Sequence, residues 1–333
     1  MPTYTNPVID LDFPDPATLT APDGSTYVYA TQGNNDGGAM LNIRVAHSPD
    51  LVHWTLLGDA LPVKPAWASK TQDFWAPHVT AADGRYFLYY SAKPDAALTD
   101  NTRGLCLGVA TADRPQGPFT DSGKPLVCGS IYINIDPMAY DDPATGKKLL
   151  YWGSGFEPIK VQELGPDRMS FAPGSKPVDL IPLIKDDAPV NYQRLVEGAW
   201  VHKRGEYYYL FYSGDNCCGP KAHYAVMVAR SRSAMGPFET LAAATGAPNS
   251  VILEASAEWI APGHNAITTD RYGDDWIIYH AVDARRPRAK DSDEINTRRI
   301  MLIDRIKWVD GWPRVAGDRP SSGSRPAPRM TSR

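Results

Sequence analysis

The sequence predicts an all-β fold, a five-bladed β-propeller forming a single domain, and three observations carry that expectation. One pattern recurs five times: a polar head, a short apolar strand, a turn, and a second strand rich in aromatics. It opens at Phe13 (FPDPATLTAPDGSTYVYAT), Phe74 (FWAPHVTAADGRYFLYYSA), Asn134, Leu195 (LVEGAWVHKRGEYYYLFYSG) and Ala261. Aligned on the turn, the head is Asp15, Ala76, Asp136, Glu197 and Gly263 in succession, at spacings of 61, 60, 61 and 66 residues. A fixed period of this size marks a repeat architecture. A third strand then follows in several units, as at IRVAHSPDLVHW, LGVATADRPQGPF and AVMVARSRSAMGPF. Alternating apolar and polar residues between Asp-Gly, Pro and Gly signals are antiparallel hairpins. Finally, no stretch sustains a helical period over three turns. Strand-only units repeated five times close into blades around an axis.

Such a ring turns the alignment into chemistry, because equivalent positions lie at equal radius and height. Asp15, Asp136 and Glu197 are therefore expected to meet in the central funnel, from blades one, three and four. A single Asp-Pro is ordinary turn chemistry; three acids in one phase are not. Like charges held together cannot all ionise at neutral pH, so one carboxyl keeps its proton. Carboxyls with separated pKa values supply an acid and a base from one residue type.

Composition narrows the function classes. Net charge is −4 with Lys and Arg scattered, which gives no basic face for nucleic acid or an anionic membrane. No run of 18 apolar residues is present. The first residues, MPTYTNPVID, lack the basic and apolar regions of a signal peptide, and the compartment is left open. Nine Trp and 17 Tyr provide faces on which sugar rings stack, although most are expected inside blades.

Taken in order, residues 1–12 are expected to be extended and to close the ring on the last blade, removing an exposed edge. The polar loop Gly33–Gly38 belongs at the funnel mouth, with Asn34 a candidate sugar contact. Trp54 is a packing residue. Trp75 directly precedes the blade-two head and is a candidate pocket wall. The connection from Ala92 to Arg103 is polar and surface-like. Blade three carries Asp136, then Trp152-Gly153-Ser154-Gly155-Phe156, where glycines let backbone approach a ligand, with Phe156 a candidate contact. Residues 157–192 read as an irregular loop into blade four. Blade four holds Glu197 and the adjacent Cys217 and Cys218, for which a mutual bond is strained. Spacing does not decide whether Cys106 and Cys128 pair, and no CxxC spacing suggests zinc. In blade five, His264 stands one residue past the head, near the axis. Arg298-Arg299 begin an alternating run that turns one arginine inward, where it would bond strongly to the carboxylates. The propeller is expected over residues 1–316. The tail 317–333 has little to bury and reads as disordered.

At these residues the chain resembles glycoside hydrolase family 43, the arabinanases, α-L-arabinofuranosidases and β-xylosidases. The likeness rests on FPDPA, FWAPHV, NIDP, VEGAW, PGHN and the closing RRIMLIDRIKWVDGWP, six motifs in order across about residues 5–315. It implies that Asp15 is the general base, Glu197 the general acid, and Asp136 the carboxylate that tunes and orients the acid. It places Arg299 near the sugar and His264 near a central ion, calcium or another, with no cofactor required. Ile135 and Gly198 depart from the Arg and Cys of related invertase-like enzymes, which argues against fructan chemistry. Asn134 lies two residues before Asp136, not three as in many arabinanases, which weakens an endo-acting assignment. No β-sandwich follows the propeller as it does in many xylosidases of the family.

Glycoside hydrolysis needs one carboxylic acid and one carboxylate, and positions across the funnel favour inversion. The leading expectation is an inverting, exo-acting α-L-arabinofuranosidase. Its partner is an arabinose- or xylose-containing saccharide, and no nucleic acid or membrane is involved. A β-xylosidase or endo-arabinanase on the same site, or a sugar-binding propeller without turnover, are the alternatives.

Overall fold

A computed structural model describes residues 2–330 apart from 36, 97, 100–102, 154 and 289–296. It contains five antiparallel sheets arranged as a propeller. Blade one is built from Ala17–Thr20, Thr26–Ala30, Arg44–Ser48 and Thr55–Asp59. Blade two has Phe74–Ala82, Arg85–Ala92 and Cys106–Ala112, with short outer strands Thr120–Asp121 and Val127–Cys128 both on the third. Blade four repeats that plan with Val196–Arg204, Tyr207–Asn216, His223–Ser231, Glu239–Thr240 and Val251–Leu253. Blade five has Trp259–Thr269, Asp275–Asp283 and Arg299–Arg305. Among the described residues the only α-helix is the five-residue Leu241–Thr245, capped by Thr240 and by left-handed Gly246.

Blade three corrects one expectation. Residues 157–192 are not a plain loop: Ile159–Glu163 and Val178–Ile181 complete a four-stranded blade, Met138–Asp141 and Lys148–Trp152 being the first two strands. Ile159 and Val161 are wholly buried between polar neighbours, so the two-residue alternation was present. The strand is only five residues long, and Gly and Pro on both sides obscured it.

The middle strands are buried on both faces, and their side chains fill the gaps between blades. Tyr29, Tyr90, Tyr151, Tyr212 and Tyr279 are all fully buried, one in the second strand of each blade. Most aromatics are packing, as composition suggested. Cys106 and Cys128 face each other across paired strands and are bonded; Cys217 and Cys218 are bonded to one another.

The ring closes as expected, with the N-terminal segment on blade five: Val8 N–H donates to Met301 O, and Met301 N–H donates to Ile9 O. The tail corrects the other expectation. Residues 317–330 are not loose. Arg325–Pro326 pairs with Thr3–Tyr4, and the Ala327 N–H bonds Pro2 O. The Ser321 N–H bonds the buried carboxylate of Asp304, which also takes the Tyr4 and Tyr279 hydroxyls. Arg329 lies on Tyr272 and pairs with Asp274. Little apolar area was needed, because backbone pairing, charge and prolines with few conformations to lose hold this segment. Residues 331–333 lie outside the described residues.

Deleting residues 319–333 should therefore lower Tm, by about 2–4 °C for each kcal/mol lost. Thermal unfolding by circular dichroism reads it, and an unchanged Tm would contradict the clasp around Asp304.

Candidate active site

Each blade carries, within or just before its first strand, a residue in the left-handed region: Asp15 (φ 59°), Ala76 (φ 46°), Asp136 (φ 57°), Gly198 (φ 63°) and His264 (φ 48°). This ring is the true axial position, and it shifts the sequence alignment by one residue in two blades. Glu197 and Gly263 stand one residue before it. For the four non-glycine members the conformation costs roughly 1–2 kcal/mol each, and their buried N–H groups need partners.

The preceding blade supplies those partners. The Ala76 N–H donates to Thr31 Oγ1 of blade one at 2.8 Å, and the Asp136 N–H to Ser91 Oγ of blade two at 3.1 Å. The His264 N–H donates to Ser213 Oγ of blade four at 2.8 Å, and the Asp15 N–H to His280 Nδ1 of blade five at 3.1 Å. Thr31, Ser91, Ser213 and His280 share one slot at the end of their blades' second strands. In blade three the slot holds Gly153, which has no side chain. The Gly198 N–H bonds Asp136 Oδ2 instead, at 3.0 Å. Asp136 is thereby fixed beside Glu197 by a vacancy in the repeat.

The predicted acids do converge. Arg299 Nη1 donates to Asp15 Oδ1 at 3.2 Å, and His264 Nδ1 stands 3.4 Å from Asp15 Oδ1 and 3.7 Å from Asp136 Oδ2. Thr31 Oγ1 donates to Asp15 Oδ2 at 2.6 Å, and the Tyr224 hydroxyl to Glu197 Oε1 at 2.7 Å. Gly198 suits its positive φ, with the His264 ring packed 3.4 Å from where a Cβ would stand. Arg299 is the inward member of its pair, while Arg298 turns out to Asp10.

Their electrostatics separate the three carboxyls. Burial alone would raise Asp15, but the Arg299 guanidinium and the two histidines outweigh it and hold the carboxyl well below its usual range. Burial pushes both histidines down, His280 to about 4, so at neutral pH Arg299 is the charge that matters. Burial, and then the charges of Glu197 and Asp15, push Asp136 well up. Burial, with Asp15 adding to it, raises Glu197 to about 7. Glu197 keeps part of its surface open to the funnel, whereas Asp15 and Asp136 are only 7 % exposed. An ionised carboxylate and a protonated carboxylic acid stand in one funnel, the pairing acid–base hydrolysis requires.

Of the other candidates, Trp75 lies in blade two's first strand, and Asn34 and Phe156 lie on connections. Trp75 directly precedes Ala76 and stacks on Tyr132 at 6.1 Å between centroids. Phe156 is 60 % exposed, and Asn34 is half-buried in the loop between blade one's second and third strands. None of the three has a hydrogen bond or ring contact to the acids among the described residues. Below the acids, His264, Asn265, His78 and Asp136 line a cavity with room for about one water. Both amide atoms of Asn265 are buried there without a partner. Among the described residues no three His, Cys, Asp or Glu side chains converge for a cation. The donor set does not make a coordination shell for the calcium that the resemblance implied, and no step below uses one.

With the geometry in place, comparison with known proteins gives the family. The pattern of glycosyl hydrolases family 43 matches residues 4–313. The chain belongs to that family. It is an inverting glycoside hydrolase working by general acid and general base catalysis, so a propeller without turnover is set aside. It is 29 % identical over 314 residues to a probable arabinan endo-1,5-α-L-arabinosidase A of Aspergillus flavus, covering 90 % of each chain. It is 26 % identical to the extracellular exo-α-(1→5)-L-arabinofuranosidase ArbA of Cellvibrio japonicus, over 82 % of this chain and 80 % of that one. A solved thermostable family-43 glycoside hydrolase superposes with a TM-score of 0.76 at 27 % identity, covering 98 % of this chain and all of the other.

Sequence reasoning missed Tyr224, His280 and Thr31. The slot containing Thr31 and His280 was readable from the same repeat, had the ends of the second strands been aligned. Tyr224 had no such signal. Replacing Arg299 with Leu should raise the Asp15 carboxyl, because its main counter-charge is lost. Carboxyl titration by isotope-edited infrared spectroscopy reads it, and an unmoved Asp15 would contradict the assignment of Arg299 as its dominant counter-charge.

Proposed function

We propose that this enzyme releases L-arabinose from the ends of α-linked arabinan, as an exo-acting α-L-arabinofuranosidase, with Glu197 as general acid and Asp15 as general base. The observation that supports the roles is the split between them. Glu197, raised to about 7, retains its proton near neutrality, whereas Asp15 beside Arg299 is ionised. Asp15 takes a proton from water as the water oxygen bonds to the anomeric carbon. Glu197 gives its proton to the leaving oxygen as the C–O bond breaks. Water attacks on the face opposite the leaving group, so configuration inverts. Asp136 accepts the Gly198 N–H and faces Glu197 from blade three, the carboxyl proposed to tune and orient the acid. Solvent then restores both groups.

The arabinan specificity is supported by the relatives, an arabinosidase and an arabinofuranosidase over most of both chains. Exo action is supported by the exo-acting relative, matched over 82 % of this chain, and by Asn134 standing two residues before Asp136. Trp75, stacked on Tyr132, and Phe156 and Asn34 are the side chains proposed to meet the sugar, with Arg299 at its reacting end. Endo action is the second reading, since the relative at 29 % identity is named an endo-arabinosidase.

Linear α-1,5-arabinan should yield arabinose alone from the first time points; a ladder of oligosaccharides would decide for endo cleavage. Nitrophenyl arabinofuranoside should be turned over faster than the xyloside, and the reverse would make the enzyme a xylosidase. Glu197→Gln and Asp15→Asn should each lose about 10²–10⁴-fold in kcat, since each removes a proton-transfer group. Because Glu197 must be protonated, kcat/KM should fall as pH rises through about 7. The acid limb should lie below the ordinary carboxylate range, because Asp15 stays ionised there.

A further inference from the structure

Tyr224 stands near the start of blade four's third strand and is 1 % exposed. Its hydroxyl donates to Glu197 Oε1 at 2.7 Å. Its ring lies parallel to His280, with centroids 5.8 Å apart and planes inclined by 5°. Beside it passes the blade-five backbone at Gly263. A Cβ built on Gly263 would sit 2.1 Å from Tyr224 Cδ1 and 2.2 Å from Cε1, where no side chain fits. Gly263 is not among the residues with positive φ, so its backbone does not itself call for glycine. The tyrosine ring does.

We propose that Tyr224 is a positioning residue for Glu197, locking its carboxyl in one orientation with Oε1 occupied, and that Gly263 is the glycine that admits the ring. The inference rests on the reading of Glu197 as the general acid. With Oε1 taken by the tyrosine O–H, the acid's own proton resides on Oε2, the oxygen left to address the leaving group. The remaining groups facing Glu197 are Asp136 from blade three, Asp15 from blade one and Arg299 from blade five's third strand. His264 packs on neighbouring Gly198, and His280 backs the tyrosine ring. None of them donates a hydrogen bond to Glu197 among the described residues, so Tyr224 is the contact that sets its rotamer.

Tyr224→Phe keeps the ring and deletes the donor. A donor stabilises the carboxylate over the acid, so its loss lets Glu197 hold its proton to higher pH. The alkaline limb of kcat/KM should move up by about one pH unit. At the same time kcat should fall about tenfold, with KM little changed, because the acid no longer points one way. Gly263→Ala, which displaces the ring from another blade, should move the same limb in the same direction. A purely structural tyrosine would lower Tm and leave the limb in place. Tyr224→Phe with a profile superimposable on the parent, while Glu197→Gln is inactive, overturns this inference and leaves the acid assignment standing. Substantial activity in Glu197→Gln overturns the assignment itself.

Discussion

The site depends on a ring of backbone strain. Five residues enter their blades in a left-handed conformation, and each buried N–H is satisfied by a group from the blade before it. The device runs once round the ring, so no blade can hold its axial residue without its neighbour. A conformation that costs a kcal/mol or two persists only where the surroundings over-determine it. Closure of the ring by the N-terminal segment, and the polar clasp of the tail around Asp304, belong to the same constraint. They keep blade five, which carries His264, His280 and Arg299, in register with blade one, which carries Asp15.

From that geometry the charge distribution follows. Asp15 receives the Arg299 guanidinium, while Glu197 receives no cation at hydrogen-bonding distance among the described residues. Two carboxyls of similar intrinsic acidity are thereby pulled apart, Asp15 well below its usual range and Glu197 up to about 7. Asp136 is held facing Glu197 because Gly153 leaves the Gly198 N–H for it to accept, and the charge of Glu197 helps push Asp136 up. The functional asymmetry of the site is therefore an irregularity in the repeat, not an addition to it.

Much of this was legible in the sequence. The period near sixty residues, the aromatic second strands and the three acids in phase gave the propeller and its hub, because repeat spacing maps directly onto angle around an axis. Strand alternation turned one of Arg298 and Arg299 inward, and the family resemblance chose Arg299. The one-residue slip at Glu197 and Gly263 was not legible, since an alignment anchored on the hairpin turn does not see bulges between the turn and the axis, and the structure has register shifts there. Blade three's outer strands were hidden by their shortness. The tail misled because its order comes from backbone pairing and single ion pairs, which leave little trace in hydropathy. Tyr224 was invisible for a different reason: it reaches Glu197 from a third strand, where it packs against a glycine of the next blade, Gly263.

The measurement that bears most directly on the account is the titration of Glu197 itself in the free enzyme. Carbon-13 labelling of glutamate carboxyls, with Glu197→Gln to assign the signal, would follow it between pH 4 and 9. The structure predicts a midpoint near 7, well above an exposed glutamate. A Glu197 signal that titrates with the surface glutamates, close to 4.3, would contradict the account.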